Sequence, residues 1–236
     1  MSLKPTQKID SRSMLSPGSI RSITVAIQLC ALVLAGHSWA QNPPQPNRPT
    51  STPYSGDLSI FETPGRDQRL QIQRVMDILG IKHGSGVADL GAGSGWFTVR
   101  AAARVAPDGT VFAEDINPEA IKYIDQRLQK ERISGVHTIL GAPDDPKLPP
   151  DSIDALLMLK VYHEIAHPLV LLDNLKPALR PGAKIGIIDR NGNGADHGLN
   201  ADIVKREMKE AGFKFVASYD FTKADGQDYF LIFQRK

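Results

Sequence analysis

From about residue 66 onward, apolar positions fall into alternating helical and strand-like blocks. Leu70, Ile72, Val75, Met76 and Leu79 recur at helical spacing, and Gly80 stops the run. "GVADLG" (86–91) reads as a short buried strand, and "WFTVRAAARVA" (96–106) as a helix that "PDG" ends. A strand at 110–116 follows. Asn117-Pro118-Glu119 then opens a helix to about Arg132, with proline in its first turn. Strands are expected at 136–141, at 153–161 (apolar on both faces, as a central parallel strand is) and at 183–190. Helices are expected at 168–180, subject to a break at Pro177, and at 199–211. "FKFVASYDF" and "DYFLIFQR" suit an antiparallel closing pair. The alternation predicts an α/β fold: a doubly wound, mostly parallel seven-stranded sheet, helices on both faces, and an antiparallel C-terminal strand pair.

The first 65 residues do not share this pattern. Arg21 precedes an apolar run from Ile23 to Ala35, and Ser38-Trp39-Ala40 supplies small residues at −3 and −1 of a cut after Ala40. These are the parts of a secretory signal, so residues 1–40 are expected to be a signal peptide, with Met1 or Met14 as its start. Cleavage would make the protein secreted or periplasmic, with no membrane in the mature form. An uncut N-terminus would leave it membrane-associated or cytoplasmic. Residues 41–65, rich in proline and small polar residues near their start, are expected to be a linker, and residues 66–236 the folded domain.

Charge and cysteine content narrow the chemistry. The chain carries 28 basic and 26 acidic residues. Setting aside residues 1–40 leaves 24 basic and 25 acidic, without the basic surplus of a nucleic-acid binder. The single cysteine, Cys30, lies inside the expected signal, so thiol catalysis is not expected of the mature chain.

Two motifs compete for the function. His163-Glu164-Ile165-Ala166-His167 spells the H-E-x-x-H of zinc peptidases. That chemistry needs both histidines on one continuous helix. Here the preceding residues read as a strand, and Pro168 disfavours helical geometry at His167. The expected reading is therefore a loop and helix start at the carboxyl edge of the sheet, with no metal, and the zinc peptidase stays a remote alternative.

"VADLGAGSGWF" (87–97) is the other. A strand ends in Gly91, Gly93 and Gly95 at alternate positions, and a helix follows. Trp96 stands where a dinucleotide fingerprint would have its third glycine. The G-x-G-x-G spacing after Asp89 resembles motif I of the class I S-adenosylmethionine-dependent methyltransferases. "DSIDALLMLKVYHEI" resembles motif IV of that family, and "LKPALRPGAKIGIID" its turn before strand five, with Ala183 in place of a glycine. The likeness covers about residues 66–236 and is to the broad methyltransferase-domain group.

The resemblance implies S-adenosylmethionine as cofactor and assigns roles by position. Asp89 and the loop Gly91, Ala92, Gly93, Ser94 and Gly95 would hold its amino-acid end, the acid near the ammonium and backbone N–H groups at the carboxylate. Asp115, ending the second strand, would accept from both ribose hydroxyls, beside Ile116; Glu114 would face the other way. Asp144 and Asp145 are displaced from the family's usual adenine acid, whose place Ala142 takes, and either would reach the base or sit in a solvated turn. Lys160 would contact the cofactor, Asp89 or Asp145. His163 is the candidate base, or else a hydrogen-bonded loop histidine that orders the turn, and Tyr162 would line the acceptor pocket or pack under the cofactor. Asp189, Arg190 and His197, in a glycine-rich loop, are acceptor-site candidates. With no further domain to recognise a macromolecule, a small-molecule acceptor is expected. The open alternative is an exported, catalytically inactive binding protein of the same fold.

Overall fold

A computed structural model describes residues 48–235; the expected signal segment and the first part of the expected linker lie outside them. Among the described residues no helix is long and apolar enough to cross a membrane.

A seven-stranded sheet organises the domain. Its strands are β1 (Gly86–Leu90), β2 (Thr110–Asp115), β3 (Val136–Leu140), β4 (Ile153–Leu159), β5 (Leu179–Asp189), β6 (Phe213–Tyr219) and β7 (Tyr229–Arg235). Their spatial order is β3-β2-β1-β4-β5-β7-β6. The pairs from β3 through β5 are parallel, while β7 pairs antiparallel with both β5 and β6. The chain winds outward from β1 to β3, then returns to the centre and winds the other way. This reversal opens a crevice between β1 and β4 at their carboxyl ends, where open α/β sheets bind ligands.

Six helices cover the sheet: α1 (Arg66–Leu70), α2 (Ile72–Leu79), α3 (Trp96–Val105), α4 (Pro118–Glu131), α5 (Pro168–Leu175) and α6 (Ala201–Glu210). One core joins Leu156, Met158, Ile185 and Ile187 to Leu171 and Leu175 of α5 and Met208 of α6. The opposite core joins Val87, Val111 and Leu157 to Met76 of α2 and Phe97 of α3, while α4 packs across β2 and β3. Burial on both faces explains why β1 is buried at every position.

Several boundaries differ from the pattern-based expectation, each for a local backbone reason. The helix expected through Leu79 is divided at Gln71, which sits left-handed at φ 51°. β4 stops at Leu159, not Val161, because Lys160 turns left-handed at φ 61°. Pro177 ends α5 at a short 3₁₀ turn, Lys176–Ala178, after which β5 starts at Leu179, earlier than expected.

The largest correction concerns the expected linker. Residues 48–62 lie against the domain. Arg48 pairs with Glu207 of α6 at 3.0 Å. Ser51 is buried, donating to the Gly194 carbonyl at 2.8 Å and accepting from the His197 N–H at 2.8 Å. Leu58 opens a 3₁₀ turn and is buried, and Glu62 accepts from Ser94 Oγ at 2.6 Å. Proline-rich composition hid this because the anchors are isolated polar residues that match sites elsewhere in the chain.

The two-faced core predicts a contrast in stability. Leu157→Ala, at a fully buried position of β4, is expected to cost about 2–5 kcal/mol. Val216→Ala, at 45% exposure, is expected to stay within about 0.5 kcal/mol of the parent. Urea unfolding midpoints at unchanged m-value measure both; equal losses would contradict this core.

Candidate functional site

The loop after β1 builds the floor of the site. Gly91, Gly93 and Gly95 all have φ between 55° and 73°, the left-handed region that L side chains avoid. At Gly91 there is also no room: a Cβ would lie 2.5 Å from the Val161 side chain. The loop is tied to the end of β2. The N–H groups of Gly91 and Ala92 both donate to the Glu114 carbonyl, at 2.9 and 2.8 Å. The Gly93 N–H donates to Asp115 Oδ2 at 2.8 Å, and the Asn117 N–H to Asp115 Oδ1 at 2.8 Å. Asp115 thus fixes loop and strand end together while lining the cavity. Ser94 is held by Glu62, which also takes Arg127.

Asp89 is buried beneath the loop and accepts from Thr98 Oγ1 of α3 at 2.6 Å. Burial pushes its carboxyl up to about 6, against the bond from Thr98. Glu114 lies on the other face of β2 from Asp115, as strand alternation requires, yet its carboxyl curls under the loop to 3.4 Å from the Gly91 N–H. A Cβ on Gly141 would stand 1.8 Å from that carboxyl, which accounts for the glycine after β3. Burial, then the charge of Asp115, pushes Glu114 up to about 8, which favours its neutral form at pH 7; burial pushes Asp115 up as well, against the bonds from the Asn117 and Gly93 N–H groups.

A cavity of about 610 Å³ opens over these groups. Asp89, Gly91 to Ser94, Asp115, Ile116, Lys160 and His163 all contribute to its wall. Residues 50–54, Leu58 and Phe61 form another side, so the docked N-terminal segment belongs to the site. Arg66 adds a buried cation against Trp96, 4.5 Å from the ring centroid.

The far end of the cavity is polar. The single 3₁₀ turn Tyr162–Glu164 directs His163 inward; its ring is 2% exposed, and Nδ1 lies 2.8 Å from Oδ2 of fully buried Asp189. Asp189 Oδ1 takes the Arg190 N–H at 2.9 Å. The carboxylate therefore places the proton on Nδ1 and leaves Nε2 with its lone pair. Glu164 Oε1 lies 3.8 Å from that Nε2. Burial pushes Glu164 up to about 7, opposed by His163. His197 stands edge-on to His163 at 5.9 Å between centroids, held at φ 59°.

Other expected site residues lie elsewhere. Tyr162 is fully buried in the α5–α6 core and absent from the cavity wall, because the turn that sends His163 inward sends its neighbour the other way. Arg48 covers its ring at 5.6 Å. Asp144 and Asp145 also miss the wall, which Ala142 and Pro143 form. A tight bridge between Ala142 and Asp145 turns both acids away; Asp144 pairs with His167 at 3.0 Å, and Asp145 accepts from the Lys147 N–H. Gly95 lies below the wall, packed on Ile124, and shapes the turn into α3. Lys160 reaches the cavity but makes no ion pair with Asp89 or Asp145 among the described residues. His163 and His167 share no helix: one meets Asp189 and the other Asp144. Glu114, Glu164 and Arg66 were not identified as wall residues from sequence. Chain spacing gives no sign of their convergence, although an acid beside Asp115 and another beside His163 were the available signals.

The chemistry of the wall fits an amino-acid nucleoside. The N-cap residue of α3, Gly95, offers no side chain, and although the Thr98 N–H is bonded to Asp89, the N–H groups before it lack helical partners and suit a carboxylate. Asp115 offers acceptor oxygens for ribose hydroxyls, and Ile116, 39% exposed, an apolar surface for a base.

Glu114 supplies a pH signature. Its folded pKa lies above its ordinary value of 4.5, so the native state holds the extra proton, and the associated stability is full below about pH 4.5 and lost as pH rises towards 8. Relative to Glu114→Gln, which cannot titrate, wild type is expected to lose stability by roughly 1 kcal/mol per pH unit between about pH 5 and 8. Denaturant titrations across that range measure the difference; parallel curves would contradict a neutral Glu114.

Comparison with known proteins agrees with this geometry. A family model described as a methyltransferase domain matches residues 81–228. The chain is 30% identical over 111 residues to a protein-L-isoaspartate O-methyltransferase of Pyrococcus horikoshii, covering 47% of each. It is 29% identical over 136 residues to an arsenite methyltransferase of Halobacterium salinarum, covering 58% of this chain and 35% of that one. It thus spans about half or less of the length of these curated relatives. In fold it matches the crystal structure of a SAM-dependent methyltransferase from Aquifex aeolicus at a TM-score of 0.68 and 22% identity, covering 76% of this chain and 98% of the other. The chain belongs to the methyltransferase-domain family.

Proposed function

We propose that this protein moves a methyl group from S-adenosylmethionine to a small acceptor bound at the His163 end of the cavity. The observation that carries the reading is that one continuous cavity joins Asp115 and the glycine loop to His163, which is paired with Asp189. S-adenosylmethionine, when bound, supplies an electrophilic methyl on a sulfonium. The chain's own work is placement. Asp115 and the free N–H groups at the start of α3 hold the sugar and amino-acid ends, and the cavity walls shield them from bulk solvent. Fixed alignment of this kind removes roughly 7–11 kcal/mol from such a barrier.

The acceptor's lone pair forms the new bond to carbon, and the C–S pair stays on sulfur. The acceptor's proton leaves towards the corner where His163 Nε2 and Glu164 converge. A ring held by a buried carboxylate is poor equipment for mere ligand storage, which favours catalysis over the inactive-binding reading. Two curated relatives act, by their names, on protein L-isoaspartate and on arsenite. A cavity of about 610 Å³ walled partly by residues 50–61 favours an acceptor of small-molecule size.

Titration calorimetry of the full chain with S-adenosylmethionine and S-adenosylhomocysteine tests the reading. Both are expected to bind. Asp115→Ala, removing bonds of about 1.5–3 kcal/mol each, is expected to weaken both at least tenfold. Heat-silent titrations with wild type, or equal affinity in the variant, would contradict it.

A further inference from the structure

The polar corner of the cavity carries more ligating capacity than a proton acceptor needs. His163, Glu164 and His197 each present a donor atom, and these atoms lie within 4.8 Å of one another. Their other commitments are few. His163 spends Nδ1 on Asp189, which leaves Nε2 free and aimed at the group. Among the described residues, neither ring nitrogen of His197 has a hydrogen-bond partner in the chain, and the Glu164 carboxylate has only His163, at 3.8 Å. The His197 backbone is held at both ends: its N–H donates to Ser51, and its carbonyl accepts from Arg190 at 2.9 Å. No lysine or arginine pairs with Glu164 among the described residues.

We propose that His163, Glu164 and His197 form a binding site for a divalent transition ion of the zinc class, open on its fourth side to the cavity. Two imidazoles and a carboxylate are the donor set of an open, catalytic zinc site, in which the remaining position takes water or substrate. Tetrahedral bonds of about 2.1 Å place donors roughly 3.4 Å apart, against 3.8 Å between His163 Nε2 and Glu164 Oε1 and at most 4.8 Å within the group, so small side-chain shifts bring the donors onto an ion. His163 need not move. Its Nδ1–H bond to a buried carboxylate is the outer-shell support that metal-bound histidines use to fix ring orientation. The set differs from the literal H-E-x-x-H pair, since His167 is turned away onto Asp144.

The role of the ion rests on the methyl-transfer reading; its binding does not. Beside a methyl donor, an open metal position would select an acceptor with a hydroxyl or thiol that coordinates as its anion, its proton passing to solvent water as it binds, so that its lone pair is ready to attack. The preferred substrates would be small alcohols, phenols or thiols able to reach the ion.

The full chain, stripped with a chelator, is titrated with Zn²⁺ by calorimetry and with Co²⁺ by visible absorption. S-adenosylhomocysteine is titrated in parallel. About one equivalent of metal per chain is expected, with low-symmetry d–d bands for Co²⁺. His197→Ala and Glu164→Gln are each expected to weaken metal binding at least about tenfold, and His167→Ala to leave it unchanged. No uptake, uptake indifferent to both ligand variants, or loss in His167→Ala would overturn the site. Homocysteine-analogue binding without metal uptake would overturn this inference alone. Metal uptake without analogue binding would uphold it and overturn the methyl-donor reading.

Discussion

The site depends on the attachment of one loop to one strand end. Gly91 to Gly95 can cross the top of β1 only because their backbone adopts left-handed angles and because Gly91 has no side chain to meet Val161. Bonds to the Glu114 carbonyl and the Asp115 carboxylate then hold the loop against β2. That attachment sets the floor of the crevice which strand reversal between β1 and β4 opens. It also places Asp115 beside the uncapped start of α3, so the acceptors and donors for a nucleoside amino acid come from a single rigid unit. Neutral Glu114 packed beneath adds volume without a second negative charge.

Around that unit the cavity is divided by chemistry. One end is lined with backbone and the carboxylate of Asp115; the other gathers His163, Glu164 and His197 over buried Asp189. Shared fold places the first end in a known family, and the two curated relatives differ from each other in what they methylate, as their names state. The second end and the segment 50–61 wall the same cavity as the glycine loop.

How much of this could be read beforehand follows from the range of the interactions. Alternating apolar runs made the strands and helices legible, since each run reflects burial of its own residues. The glycine spacing and Asp115 were legible because loop and strand chemistry is local. Tyr162 was misplaced because a loop reading leaves side-chain directions open, and the 3₁₀ turn after β4 sends adjacent side chains to opposite sides. Of the two places open to Asp144 and Asp145, the structure has the turn, which a run of acids and prolines does not specify. The docking of residues 48–62 and the meeting of His197 with His163 are long-range pairings, made by Ser51 and by a loop 34 positions away, and no spacing rule reveals them.

The central claim, that the glycine loop and Asp115 grip a methyl donor at the β1–β4 crevice, is tested most directly by a crystal structure of the full chain grown with S-adenosylhomocysteine. The account predicts both ribose hydroxyls on the Asp115 carboxylate, the amino-acid carboxylate at the start of α3, and the sulfur facing the His163 corner. A donor bound elsewhere, or an empty crevice at saturating concentration, would contradict it.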